Sequence, residues 1–257
     1  MDWEAIFLLE LMTMRMTGFV LANPLLGRTN VPGFVKAGFA LVLTAAVYGL
    51  GGSQSVRVPE SLPVLALSLL AELGIGLVIG FVPRLFFSVV QIGGEIIDAQ
   101  MGLTMAQTYD ASAQANLTVT GALLNILMVL IFFAENGHYT LFRILLSSGE
   151  LLPYGTAAFG PEIASHAAEL FLDCMVLSLK LALPILAAEL LGEIGMGILM
   201  KAIPQINAFV INMELKVFLG LALLFLFLTP ISEFLLGAEQ TMLEQVRQAL
   251  SIMALHG

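Results

Sequence analysis

The sequence contains few charged residues, and fewer basic than acidic ones. Only 11% of its 257 residues are charged, and 19 Asp and Glu outnumber 10 Lys and Arg. A soluble domain has about a quarter of its residues charged. A nucleic-acid-binding protein needs a basic patch that exchanges counterions with phosphate, and so few, scattered basic residues exclude that class. Because Cys174 is the single cysteine, the chain can hold neither an internal disulfide nor a cysteine-built zinc site.

Recognisable catalytic motifs are also missing. The sequence contains no phosphate-binding GxxxxGK[S/T] loop, no HExxH and no GxSxG. Its histidines, His138, His166 and His256, are scattered without ligand spacing. We therefore expect no cofactor and no metal, and an enzyme ranks below the other classes. An intramembrane enzyme whose nucleophile and base meet only on folding stays open as an alternative.

Most of the remaining residues are apolar. These apolar residues make up 59% of the chain, and the mean hydropathy is +0.97. Disordered chains have low hydrophobicity and high charge, and a soluble globule could not cover this much apolar surface with so few polar groups. The composition predicts a membrane-associated protein or one part of a large helical assembly. Because the start of the chain is acidic, we do not expect the first apolar segment to be a cleaved signal peptide.

Six apolar segments approach the length of about 20 residues that a membrane-crossing helix needs. They are residues 5–22, 35–50, 62–83, 117–134, 174–200 and 217–236. Continuous apolar runs favour helices over the alternating strands of a barrel. We predict an all-α, membrane-associated fold of about six long, broken hydrophobic helices that form hairpins, and the run at residues 85–103 could extend a helix. The basic residues near the segment ends favour both termini outside the cytoplasm.

Ionisable residues interrupt these apolar segments. We interpret seven of them as buried structural charges, each facing another subunit or a water-filled space and paired there: Arg15, Glu72, Glu95, Asp98, Lys180, Glu189 and Glu193. The alternative is a proton or ion relay. Glu189 and Glu193 share a helix face at i, i+4 spacing. So many charged positions also indicate helices that pack against other protein chains rather than lipid alone.

Small residues in the third segment predict close helix packing. Gly76 and Gly80 form a GxxxG motif, which lets a second helix approach the backbone closely.

Four stretches, in order and spacing, resemble the FliR family of flagellar export proteins and its injectisome counterparts, the SctT proteins. They are Arg15–Phe19 with the following Pro24, Gly27, Arg28, Val31, Pro32 and Lys36; GGEIIDAQMGLTMA at 93–106; ENGHYTLFR at 135–143; and PQINAFVINMELKV at 204–217. The resemblance covers essentially the whole chain. One departure is Glu214, where the family usually has a proline two residues before the position of Lys216, which puts the predicted loop geometry at 212–216 in doubt.

The resemblance implies a core subunit of the flagellar type III protein export gate in the bacterial inner membrane, within the flagellar basal body. With FliP-like and FliQ-like subunits it would form the channel that passes unfolded flagellar proteins, and it would contact an FlhB-like switch subunit and membrane lipid. It implies no catalysis, no cofactor and no nucleic acid. The alternatives are an SctT-like injectisome subunit and a small-molecule or ion transporter that uses intramembrane carboxylates.

The resemblance also divides the chain and assigns sites. It implies a FliP-like helical part at 1–170 with a pore plug, then a FliQ-like hairpin and C-terminal tail at 171–257. The plug begins with Met101, Gly102, Leu103, Thr104, Met105, Ala106, Gln107, Thr108, Tyr109 and Asp110 and runs to about residue 116. The cytoplasmic hairpin tip, which would contact the switch subunit, has Lys201, Pro204, Gln205, Asn207, Glu214 and Lys216. Taken alone, the two stretches would fit an ordinary surface loop and a positive-inside anchor.

Overall fold

Helices make up the fold. The computed structural model describes residues 3–51, 54, 56–59, 61–104, 118–156, 160–202 and 208–255, and no strand occurs among them, which confirms the all-α prediction. The helices are α1 (Trp3–Ala22), α2 (Gly33–Gly51), α3 (Leu62–Met101), α4 (Val119–Ala134), α5 (Gly137–Leu151), α6 (Pro161–Ala202), α7 (Ala208–Leu226) and α8 (Leu228–Leu255). All six predicted segments fall on these helices, the last one divided between α7 and α8.

Two helices are much longer than the segments that predicted them. Helix α3 has 40 residues and contains Pro83, and α6 has 42 residues and contains Pro184. At 1.5 Å per residue each is about 60 Å long, roughly twice the hydrocarbon thickness of a bilayer. Both helices can therefore reach beyond the hydrocarbon layer.

Local chemistry explains where several helices begin and end. Asn136 separates α4 from α5 in a left-handed conformation, with φ 59°, which asparagine tolerates better than most residues. The side chain of Thr118 accepts a hydrogen bond from the Gly121 backbone amide and caps α4. Pro161 begins α6, at the helical position where a missing N–H costs least.

Three helices, α1, α3 and α6, are long and apolar enough to cross a membrane, and the number rises to five if α4 with α5 and α7 with α8 each count as one broken span. In the most apolar window of α1, 56% of the residues are buried within the chain, against 28% in α3 and 33% in α6. Helix α1 is therefore mainly a core helix, whereas the apolar windows of α3 and α6 are mostly uncovered within the chain and are available to lipid or to other subunits.

The chain forms two compact units, each made of separate stretches. The first unit comprises Met1–Phe86, Asn136–Phe171 and Gln240–Gly257, and the second comprises Phe87–Glu135 and Leu172–Glu239. Helices α3, α6 and α8 each contribute to both. These units reflect packing and not relatedness to other subunits, so the division of the sequence near residue 170 stays a prediction.

In the first unit, α1 and α3 touch through glycine. A Cβ on Gly76 would collide with the carbonyl oxygen of Arg15, and one on Gly80 would lie 2.7 Å from the carbonyl oxygen of Phe19. From the other side, a Cβ on Gly18 would collide with the carbonyl oxygen of Leu73. Backbones can come this close only where neither helix has a side chain in the way. The close approach predicted from the GxxxG motif is confirmed.

One ion pair lies within this contact. Arg15 Nε donates to Glu72 Oε2 at 2.6 Å, and neither side chain has any exposed surface. The remaining guanidinium nitrogens donate to Ser148 Oγ and the Leu152 carbonyl oxygen, each at 3.1 Å. The second oxygen of Glu72 accepts from the Gly155 amide at 2.9 Å. Such complete pairing is what allows two charges to remain in an apolar interior.

A tight turn after α5 completes this cluster. The guanidinium carbon of Arg15 lies 4.2 Å from the centre of the Tyr154 ring, a cation–π contact. Gly149 leaves room for that ring, because a Cβ there would lie 2.6 Å from it. Gln54 donates to the Gly149 carbonyl oxygen and accepts from the Tyr154 amide. Burial raises the pKa of the Tyr154 hydroxyl, Arg15 opposes the rise and Glu72 adds to it, so the ring stays neutral.

The glycine contact can be tested with a matched pair of substitutions. Gly76→Ala places a methyl group against the Arg15 backbone, and we expect the free energy of unfolding to fall by about 1–3 kcal/mol. Gly38→Ala in α2 adds the same group where nothing lies within 4 Å, and it should leave stability unchanged or raise it by up to about 1 kcal/mol. Thermal unfolding in detergent measures both, and equal effects would contradict the close contact.

The buried ion pair predicts strong coupling between its members. Arg15→Met or Glu72→Leu alone leaves an unpaired buried charge and should cost about 3–5 kcal/mol. The double variant removes both charges and should cost clearly less than the two single effects added together. Glu10→Gln, an exposed position on α1, serves as the control and should change little. Additive costs in denaturant unfolding would show that the two side chains act independently.

Candidate functional site

The seven predicted buried charges differ in their surroundings. Arg15, Glu72 and Asp98 have 0% exposure and Glu189 has 3%, whereas Glu95 and Glu193 are half-buried. Within this chain Lys180 lies on an exposed face of α6, so its burial and pairing against another subunit or a water-filled space stay a prediction. Its long stem lets the ammonium reach solvent or a headgroup from an apolar helix.

The predicted plug starts at the end of α3. Met101 is fully buried, and Gly102 ends the helix with φ +80°, a conformation that glycine adopts without strain. Leu103 and Thr104 are half-buried. The other named plug residues, Met105, Ala106, Gln107, Thr108, Tyr109 and Asp110, lie outside the described residues, which resume at Thr118.

The two ends of this stretch are fastened to each other within the second unit. Asp98, in the last turn of α3, accepts hydrogen bonds from the backbone amide of Thr120 at 3.0 Å and from its hydroxyl. Thr120 lies in the first turn of α4, where free amides and the helix dipole favour a carboxylate. We call this contact the Asp98–Thr120 clamp. It closes residues 99–119 into a loop with a fixed base.

Glycine allows the clamp to close. A Cβ on Gly94 would collide with the backbone of Gly121, so α3 and α4 touch through backbone at this point. Gly93 brings α6 equally near, since a Cβ there would lie 3.2 Å from the Ser178 carbonyl oxygen. From the sequence alone, Asp98 was predicted only to be a buried charge. The available signal was the pair of threonines just before an apolar run, a typical helix start.

Both ends of the predicted hairpin tip, residues 201–216, are helical, and its contact with a switch subunit stays a prediction. Lys201 is exposed in the last turn of α6, and Pro204, Gln205 and Asn207 lie outside the described residues. Glu214 and Lys216 belong to α7, which is helical from Ala208. Glu214 is compatible with this helix, whereas a proline in a helix interior removes an amide donor and disrupts it.

Three charged residues lie where α6 and α7 face each other. Lys216 Nζ lies 2.9 Å from Glu193 Oε1, and both residues line a cavity with Glu189. Gly192 and Gly220 bring the two helices close: a Cβ on Gly192 would collide with Leu219, and one on Gly220 would collide with Glu189 Oε1. The face shared by Glu189 and Glu193 therefore turns toward α7.

Metal ligands do not assemble in the described part of the chain. No group of three or more His, Cys, Asp or Glu lies close enough there to hold a metal ion. Cys174 is buried in α6, where it packs as a small apolar residue.

Comparisons with known proteins match nearly the whole chain. The family described as bacterial export proteins, family 1, matches residues 6–242. The flagellar biosynthetic protein FliR of Bacillus subtilis is 26% identical over 247 residues, 95% of this chain and 94% of that protein. The FliR protein of Escherichia coli is 29% identical over 225 residues, 86% and 84% of the two chains.

A relative that is not a flagellar protein matches a shorter part of the chain. The Yop proteins translocation protein T of Yersinia pestis is 29% identical over 149 residues, 56% of each chain. Flagellar and Yop translocation relatives therefore meet in one family, which is the grouping that the four sequence stretches indicated. The chain belongs to the bacterial export proteins, family 1, alongside the FliR proteins.

Proposed function

We propose that the chain is a core subunit of a flagellar type III protein export gate. The observation that carries this proposal is the match to flagellar FliR proteins over 95% and 86% of the chain. The helices support it, because α3 and α6 are long and each has an apolar window that is mostly uncovered within the chain. Such helices suit a membrane assembly of several subunits.

The partners follow from the same proposal. The chain would join FliP-like and FliQ-like subunits in the inner membrane, within the flagellar basal body, and would pass unfolded flagellar proteins without retaining them. Residues 1–170 would be the FliP-like part and residues 171–257 the FliQ-like hairpin and tail. The segment between α6 and α7, next to the exposed Lys201, would contact the FlhB-like switch subunit.

We propose further that residues 101–116 plug the channel, and the Asp98–Thr120 clamp supports this. A plug must yield to cargo and then return to the same place. A loop with both ends held together at a buried carboxylate can change its shape while its base stays fixed. Met101 and Met105, at the start of the loop, have flexible side chains that adapt to different surfaces.

An injectisome gate is the second candidate, and the Yop translocation relative favours it. That match covers 56% of this chain, whereas the flagellar matches cover more, so the flagellar assignment stands first. A carboxylate relay for ions has weaker support. Glu72 is bound to Arg15 and belongs to a different unit from Glu189 and Glu193.

The assembly itself is the first test of this function. Deleting the gene should abolish the flagellar filament and the secretion of filament protein, and the intact gene should restore both. The tagged chain should co-purify with the FliP-like and FliQ-like proteins of its bacterium. The purified chain alone should move no solute into liposomes. Normal filaments in the deletion strain, or solute uptake by the chain alone, would contradict the proposal.

The proposed plug can be tested by measuring the ion conductance of the assembled gate. Deleting residues 106–115 should make the assembled gate conduct ions, because the stretch that closes the channel is gone. Unchanged conductance of the assembled complex in a planar bilayer would contradict the plug assignment.

Two point variants separate the clamp from general destabilisation. Asp98→Ala removes both hydrogen bonds to Thr120 and should give an intermediate, flickering conductance with the complex still assembled. Glu95→Gln, one turn earlier on α3 and half-buried, should conduct no more than the unmodified gate.

A further inference from the structure

Among the described residues, two buried carboxylates have oxygens without a hydrogen-bond partner: Glu239 at one oxygen and Glu189 at both. Glu189 is 3% exposed, yet among the described residues neither carboxylate oxygen has a hydrogen-bond partner. The contrast with Arg15, Glu72 and Asp98 is sharp, because each of those side chains is fully bonded. Burying a carboxylate without a partner is costly, so the free chain lacks something that this position requires.

A cavity of about 290 Å³ lies beside Glu189, between α6 and α7. Its charged lining is Glu189, Glu193 and Lys216, and its walls are apolar, including Leu199 and Phe218. Lys216 already lies 2.9 Å from Glu193. Two carboxylates therefore share one ammonium, and one negative charge stays uncompensated in the cavity.

No other basic residue of this chain lines the cavity. All ten Lys and Arg fall on residues that the structure describes, and the undescribed stretches contain none. Lys180 precedes Glu189 by nine residues, which places it on the opposite face of α6. The compensating positive charge therefore has to come from outside the chain.

The shape of the cavity indicates what kind of cation fits. A hard metal ion prefers six or more oxygen ligands, whereas the charged lining here supplies two carboxylates, one of them already paired. The volume is far larger than an ion needs. A long side chain fits both features, because its aliphatic stem would cover the apolar walls while its charged end reaches Glu189.

We propose that this cavity receives a Lys or Arg side chain from a neighbouring subunit of the export gate, with Glu189 as its acceptor. The proposal rests on the proposed function, since it needs a partner subunit. Glu189 lies where a Cβ on Gly220 would collide with it, so its side chain already occupies the wall of the cavity, and an acceptor that is in place before binding loses little freedom when the partner binds. A buried charge pair of this kind also fixes the position of the partner on the hairpin.

Glu189→Gln tests the proposal, because it keeps the shape of the side chain and removes its charge. In the complex with the FliP-like and FliQ-like subunits, we expect partner recovery after a fixed detergent wash to fall about tenfold or more, since a charged hydrogen bond is lost. In the purified chain alone, the same variant should leave thermal stability unchanged or raise it. A purely structural role would lower both.

Asp173→Asn is the matched control, an exposed carboxylate on the same helix, and it should leave partner recovery unchanged. A structure of the complex should place a basic nitrogen of the partner within hydrogen-bond distance of Glu189. Full recovery with Glu189→Gln would overturn the inference and would also mean that a proton suffices there. Assembly that depends on sodium or potassium in place of choline would overturn it in favour of an ion. Loss of the partners from the unmodified chain would instead overturn the proposed function.

Discussion

The Arg15–Glu72 ion pair is the interaction on which the first unit depends. A chain with so little charge has few polar groups to satisfy a buried one, yet here each guanidinium nitrogen and each carboxylate oxygen has a hydrogen-bond partner, either in the pair itself or in α5 and the turn after it. The pair also requires glycine. Gly76 touches the Arg15 backbone, and a larger residue would push α1 away and stretch the ion pair. Charge pairing and backbone contact therefore stabilise the same helix contact.

The helices could be predicted because long continuous apolar runs indicate helices, and the GxxxG motif predicted the close contact at Gly76. The hydrogen-bond partners of the charged residues could not be predicted, because Arg15 and Glu72 are 57 residues apart and no local pattern links them. Nor could the exposure of Lys180 within the chain be predicted, because periodicity does not show which side of an apolar helix another helix will cover. The division of the last segment between α7 and α8 was also missed, since the run of leucines continues across it.

The second unit uses its carboxylates in two different ways. Asp98 is satisfied within the chain, at the first turn of α4, and this contact fixes the base of the loop that follows α3. Glu189 is equally buried but unsatisfied among the described residues. A satisfied charge defines how the chain folds by itself, whereas an unsatisfied one marks a place where folding is complete and assembly is not. The same distinction separates the Asp98–Thr120 clamp from the cavity between α6 and α7.

The exposed apolar surface of α6 also indicates that other protein chains cover part of this helix. Large apolar side chains are exposed along it from Leu172 to Leu199, a stretch of about 40 Å at 1.5 Å per residue. The hydrocarbon layer is about 30 Å thick, so an upright helix would leave part of this surface outside the hydrocarbon. Exposed apolar area costs about 25 cal/mol per Å². Under the proposed function, neighbouring subunits of the gate would cover this part of α6, and the same neighbours would supply the partner proposed for Glu189.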